Sequence, residues 1–405
     1  IWMIFLNTKL IFKVLIITTL SGSIVLFSDT NFFLKIFSFY NIDHLTPSFA
    51  DFRSYQALPL TIEKGLDPYI NHEYDPWKRP FNLPIIWFYI SKYLNLINEI
   101  NFKIFIFLYI SLFIFCVIQI IELTENIIGK ILVILAAFSA SSILALERGN
   151  TDLLIFSLVF IACIQKKLFL SLLILITASI LKLFPIFSFV INFENKKKVF
   201  LSILGILLVF FILLSDLKYF FYNTHSTFNT GLTFGIRPII LGFFKSLERV
   251  GLNNIEMNNL YFIIGYLFIL FFSLLLFLFF LIKNKKKKSV DFINLKNRLF
   301  LAGSSIYCCS FIFFSSFDYR LIFLIMTIPY LTDNINLIKK LILILILLST
   351  NFLAFYTFAS SQNDFMYIGI LNHISKLSLY ILVLHELSKF FNIFVQNILT
   401  KKKNF

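Results

Sequence analysis

The chain has 405 residues, 59% of them apolar and only 14% charged, with 55 Phe and 12 Gly, whereas soluble domains run at about 45–50% apolar and about 25% charged. That balance excludes a soluble globular protein and predicts an all-α integral membrane protein; at about 20 residues per crossing plus loops, one polytopic domain over residues 1–405 holds about 11–12 helices. The net charge of +15 does not predict nucleic-acid binding, because the lysines stand in short clusters between apolar runs and no basic face on a soluble domain carries them.

Lys9 and Lys13 precede an apolar run from Val14 to Phe27 that imitates a signal peptide, but no small-x-small cleavage site follows, so it reads as an uncleaved first helix over about 10–28. A polar loop at 29–82 comes next. Further spanning runs lie at about 103–122, 131–147, 168–193, 199–215, 259–282, 297–314, 340–358 and 376–398, with shorter ones at 83–97, 152–165 and 319–331. Lysine-rich stops punctuate them: Lys166 and Lys167, Lys196 to Lys198, Lys283 with Lys285 to Lys288, Lys339 and Lys340, and Lys401 to Lys403. The positive-inside rule puts these in the cytoplasm with both termini.

Parity then exports the 29–82 loop, a second large loop at 216–259, and the short stretches 147–152, 315–320 and 359–367. Only one apolar stretch separates cytoplasmic Lys167 from cytoplasmic Lys196, so 168–193 is expected to be a hairpin broken at "LKLFP", where Pro185 removes a backbone donor. Residues 83–97 then lie flat as a juxtamembrane helix. No internal repeat of transporter type is visible. The abundance of Phe, Ile, Lys and Asn points to an AT-rich, bacterial genome and hence to the plasma membrane.

Polar residues concentrate on the exported side. A loop as long as 29–82 is not needed merely to join two helices. In it, Asp51 either caps a helix over 52–64 or serves as a general base held near an acceptor hydroxyl; Arg53, Tyr55 and Tyr69 accompany it as candidate substrate-binding residues. "ERGNTD" supplies Glu147, Arg148, Asn150 and Asp152 around a bend at Gly149, although Arg148 alone would simply snorkel.

Lys182 is the single charge in the 168–193 run, and a lysine near mid-bilayer costs roughly 2.5–3.5 kcal/mol, so an anion should meet it: a phosphate, or an Asp or Glu of a neighbouring helix. "FDYR" adds Asp318, Tyr319 and Arg320, with Arg320 either clamping a phosphate or pairing with Asp318. His44, His72, His225, His373 and His385 show no ligand spacing, so no metal site and no cofactor are predicted, with a divalent ion left open. Cys116, Cys163, Cys308 and Cys309 read as core residues.

In this order, these residues resemble glycosyltransferase family 87 of the C superfamily, the polyprenol-phosphate-sugar-dependent, mannosyltransferase-like group. The resemblance rests on Asp51 with Tyr55, Gly65 with Pro68 and Tyr69, "PFNLP" at 80–84, Gly149 with Asn150, and Lys182 with Pro185, and covers about residues 48–190. It implies a GT-C type bundle with juxtamembrane helices in its first outer loop, and an extracytoplasmic active site. It implies a polyprenyl-phosphate-linked sugar donor, a lipid or glycan acceptor among the membrane lipids, and inversion at the anomeric carbon. Asp51 would be the base, Lys182 would lie near the donor phosphate, and Arg148 and Arg320 are the other outer cations.

Two rivals share these features. A transporter or flippase for a lipid-linked or anionic substrate would explain a buried lysine but would place its charges nearer the midplane. A lipid-linked glycan polymerase would use a donor carrying an oligosaccharide instead of one sugar.

Overall fold

A computed structural model describes residues 2–216, 233–236, 238–240, 259–284, 294–313, 316–358 and 362–400. The described chain is helical almost throughout. It opens with α1 (Trp2–Phe27), then α2 (Asn31–Phe39), α3 (Ala50–Glu63) and α4 (Ile86–Tyr93), followed by α5 (Glu99–Leu123), α6 (Ile127–Ala137), α7 (Ala140–Glu147), α8 (Asp152–Ile164) and α9 (Leu168–Leu181). A 3-10 segment (Phe184–Asn192) leads to α10 (Lys196–Ile212); α11 (Asn259–Lys283) and α12 (Leu295–Phe313) precede a second 3-10 segment (Asp318–Thr327). Helices α13 (Ile328–Leu331), α14 (Leu337–Phe355) and α15 (Gln362–Thr400) complete the chain. Strands β1 (Thr233–Phe234) and β2 (Ser316–Phe317) pair antiparallel.

Asparagine starts several of these helices for a local reason. The side chains of Asn98, Asn126, Asn195 and Asn336 each accept from amides of the first turn of α5, α6, α10 and α14, groups that have no partner inside the helix. At Asp51 the expectation differs from the outcome. Helix α3 begins at Ala50, its N-cap is Phe49 at φ 65°, and no side chain caps it. Asp51 therefore sits inside the first turn, where the helix dipole favours a carboxylate, and its oxygens are directed elsewhere.

Among the described residues, five helical stretches are long and apolar enough to cross a bilayer: Lys9–Phe27, Glu99–Leu123, Ile264–Lys283, Leu337–Phe355 and Tyr367–Asn392; the pair α6 and α7, bent by 41°, makes a sixth if taken as one span. The run at 131–147 is thus not one straight helix. Leu10, Ile11, Phe12 and Leu15 of α1, and Leu267, Phe268 and Phe271 of α11, point apolar side chains outward, which a chain solvated by lipid does and a soluble one avoids. The chain is a membrane protein of all-α build.

The other expected spans are short. Helices α8 and α9 have 13 and 14 residues, about 20 Å each at 1.5 Å per residue, against a hydrocarbon layer of about 30 Å. They form a hairpin turning at Gln165 to Lys167, and the chain breaks at Lys182, as "LKLFP" predicts. Helix α4, at 8 residues, is too short to span and packs on α3.

Helix α12 lies in the core, with Leu299 to Ala302, Ile306, Tyr307 and Phe311 buried. Both 3-10 segments lie against it. Gly303 permits the second: a Cβ there would stand 2.4 Å from the Phe323 carbonyl oxygen. Near the α8–α9 turn, Arg298 Nη1 donates to Gln165 O at 2.6 Å, and Lys296 pairs with Glu125 at 2.7 Å and Asp333 at 2.9 Å. The charged cluster around Asp51 and Asp152 is at the opposite end of α8.

Candidate active site

The site grows from the bend between α7 and α8. Gly149 has φ +56°, and a Cβ on it would meet Phe49 Cβ at 2.8 Å and the Tyr109 hydroxyl at 3.1 Å. Only glycine takes this backbone at this approach without strain. The Arg148 carbonyl accepts from Asp51 N–H at 2.9 Å, and the Glu147 carbonyl accepts from Phe49 N–H at 3.2 Å. The first turn of α3 is thereby stitched to the bend. The Tyr109 hydroxyl donates to Gly149 O at 2.8 Å, and Tyr55, buried, shares a 3.0 Å hydrogen bond with Thr151.

Asn150 is the hub. Its Nδ2 donates to Asp51 Oδ2 at 2.7 Å, and its Oδ1 accepts from Asp152 N–H at 2.9 Å and from Lys182 Nζ at 3.3 Å. Lys182 Nζ also pairs with Asp152 Oδ1, and Arg320 Nε reaches Asp152 Oδ2 at 3.4 Å. One buried carboxylate thus faces two cations from different elements. Arg320 is held further by Ser316 Oγ at 2.6 Å and stacks over Phe184 at 4.2 Å, and Lys182 lies 5.6 Å from the Tyr319 ring centre. Because Ser316 is in β2, the pairing with Thr233 and Phe234 connects the second large loop to this cluster.

These contacts bear on two of the sequence alternatives. Asp152, a carboxylate of the neighbouring helix, meets Lys182. Arg320 does not pair with Asp318; Asp318 is buried against Lys376 of α15, 2.6 Å from Oδ1 to Nζ. Asp318 and Arg320 stand two residues apart in one helical segment, and side chains at that spacing point to different sides of it, so the two diverge.

The remaining candidates fall outside this cluster. Arg53 pairs with both oxygens of Glu99, at 2.6 and 2.9 Å, and stacks over Phe102, tying α3 to α5. Tyr69 donates to Leu83 O at 3.1 Å and contacts Asp216 at 3.5 Å. Glu147 and Arg148 form a separate group: Glu147 accepts from Leu45 N–H at 3.0 Å and lies 3.2 Å from His44 Nδ1, while Arg148 donates to Asp43 O at 3.1 Å. His225, like most of 216–259 and part of 359–367, lies outside the described residues. Among the described residues no three His, Cys, Asp or Glu converge to hold a metal.

The sequence reading missed Arg79. Its Nη1 donates to Asp51 Oδ1 at 3.2 Å and its Nη2 to Ala50 O at 2.6 Å. Asp75, fully buried, holds the guanidinium by Nε at 3.2 Å and Nη2 at 3.1 Å. The signal available was the density of ionisable residues in "HEYDPWKRP", which gives no hint of which carboxylate each cation finds.

Nearby, His72 is buried. Its Nε2 donates to Ser54 O at 2.9 Å, and Nδ1 lies 2.8 Å from the Thr61 hydroxyl. Burial pushes its pKa below the ordinary imidazole value.

Chemically, the two central carboxylates differ. The Asp152 side chain is 0% exposed and saturated by cations, whereas Asp51 is 26% exposed. Asp51 uses two of its about four acceptor positions on Arg79 and Asn150, which leaves lone pairs open toward solvent in a fixed orientation. Comparison with protein-family models, curated proteins and solved structures finds no match to this chain.

Proposed function

We propose that the protein is a membrane glycosyltransferase of GT-C type that moves a sugar from a polyprenyl-phosphate carrier to a lipid or glycan acceptor on the extracytoplasmic face, with inversion and with Asp51 as general base. The observation that carries this reading is the asymmetry of the two carboxylates around Asn150. Asp51 is half-buried with access to solvent and aimed by two donors, as a base must be before it meets a hydroxyl; Asp152 is buried and gathers two cations.

Asp51 takes the proton of the acceptor hydroxyl as that oxygen attacks the anomeric carbon. The carbon–oxygen bond to the phosphate breaks, and the polyprenyl phosphate leaves with the electron pair. Lys182 and Arg320 share one negative charge, so the group retains one positive charge to stabilise the leaving phosphate. Arg148, which is bound to Glu147 and Asp43, has no part in this scheme.

The test is release of polyprenyl phosphate by purified protein incubated with a panel of polyprenyl-phospho-monosaccharides and membrane lipid extract. Wild type should release it and Asp51→Asn should not. Equal release by both would require another base, and no release with any donor would sink the transferase reading.

A further inference from the structure

The end of α8 away from Asp152 gathers more positive charge than the described residues neutralise. Lys166 and Lys167 lead into α9, and Lys196, Lys197 and Lys198 fill the first turn of α10. Arg298 reaches the same place from α12, donating to Ala162 O at 3.2 Å and Gln165 O at 2.6 Å. Glu194 pairs with Lys198. Among the described residues, Lys166, Lys167, Lys196, Lys197 and Arg298 have no carboxylate at ion-pair distance, and the four lysines are exposed.

Both helices carry this charge at the unfavourable end. A helix N-terminus is positive and favours an anion, yet neither first turn holds an acidic residue, and the N-cap of α9 is Lys167, with no side-chain cap. The two first turns stand level. A Cβ on Gly205 would meet Ile176 at 3.5 Å, and these two residues are equally far along from Lys196 and Lys167. Helices α9 and α10 therefore pack side by side with their lysines at the same end.

Asn192, 4% exposed, lies where these first turns meet. Its Oδ1 accepts from Ser171 Oγ of α9 at 3.2 Å, and Arg298 Nη2 donates to the same hydroxyl at 3.4 Å. Asn192 Nδ2 and Arg298 Nε are both buried without a hydrogen-bond partner among the described residues. Buried donors in native proteins nearly always have an acceptor, so this place is short of oxygens as its rim is short of negative charge. Further along, Phe169 and Leu173 of α9 and Phe200, Ile203 and Leu207 of α10 are exposed, giving apolar faces on two neighbouring helices.

We propose that this end of α9 and α10 binds an anionic glycerophospholipid, with its phosphate among Lys166, Lys167, Lys196 and Lys197 and its two acyl chains along the exposed faces. A free phosphate would leave the apolar faces unused, and a zwitterionic lipid would bring its own cation against the lysines. Lys182 is at the far end of α9, so the site stands whether or not Asp51 is a base.

The test is native mass spectrometry of the purified protein, released from detergent after incubation with equal amounts of dioleoylphosphatidylglycerol and dioleoylphosphatidylcholine. Wild type should retain phosphatidylglycerol at least tenfold over phosphatidylcholine, and the fourfold variant Lys166→Gln, Lys167→Gln, Lys196→Gln, Lys197→Gln should lose that preference to within about twofold. No preference in wild type, or an unchanged one in the variant, overturns the site. The control variant Lys9→Gln, Lys35→Gln, Lys64→Gln, Lys340→Gln removes as many exposed lysines elsewhere and should keep the wild-type ratio; an equal loss would make the preference a response to overall charge and sink the proposal. Inorganic phosphate in excess should displace no more lipid than chloride at the same ionic strength. Selective displacement would assign the site to a free anion instead of a lipid.

Discussion

Asn150 joins Asp51 to Lys182 through the two ends of one amide, with Nδ2 2.7 Å from the carboxylate and Oδ1 3.3 Å from the ammonium. The carboxylate that is open to solvent and the cation buried with Asp152 are therefore oriented by the same side chain. Asn150→Ala should lower polyprenyl phosphate release at least tenfold, and Asn150→Asp should not restore it, because it sets a second negative charge against Asp51. The measurement is single-turnover release at saturating donor; wild-type rates in Asn150→Ala would show that the amide is not needed to aim the base.

Asp152 and its two cations predict an order of stabilities. Removing a partner from a buried ion pair costs about 3–5 kcal/mol, and Asp152→Leu strands both Lys182 and Arg320. Lys182→Met leaves Asp152 still paired with Arg320 at 3.4 Å. Thermal unfolding in detergent should therefore show Asp152→Leu as the more destabilised of the two, and the reverse order would contradict the shared pairing.

Gly149→Ala should destabilise by more than about 1 kcal/mol, since it adds a Cβ 2.8 Å from Phe49 Cβ at a positive φ. It should also lower activity, because the Arg148 carbonyl at that bend fixes the Asp51 amide. Gly65 has a positive φ with open space around it. Gly65→Ala is thus the control for backbone strain alone, and an activity loss equal to that of Gly149→Ala would remove the argument from close approach.

The first loop should loosen in mild acid. The His72 pKa is lowered by burial, so as pH falls through about 6.5 the imidazole of the unfolded loop takes up a proton before the folded one does. The loop's stability is complete above that pH and declines below it until the folded group also protonates. Proteolysis of the 64–82 segment should accelerate between pH 7.5 and 5.5 in wild type and stay level in His72→Gln. A level wild-type profile would show that another group governs the loop.

How much of this was legible beforehand follows from which interactions are local. Apolar runs of span length, lysine clusters and Asn caps act within a turn or two of their own position, so the sequence by itself determined the helical build and the break at Lys182. It also marked Asp51, "ERGNTD" and "FDYR" as polar islands. Which charges meet was not legible. Lys182 finds Asp152 among the carboxylates of other segments, Asp318 finds Lys376, and Arg79 finds Asp51. Those pairings depend on the crossing of helices and 3-10 segments far apart in the chain. In a low-dielectric interior a charge must find a partner, but only the packing of α3, α8 and the two 3-10 segments decides which one lies within reach.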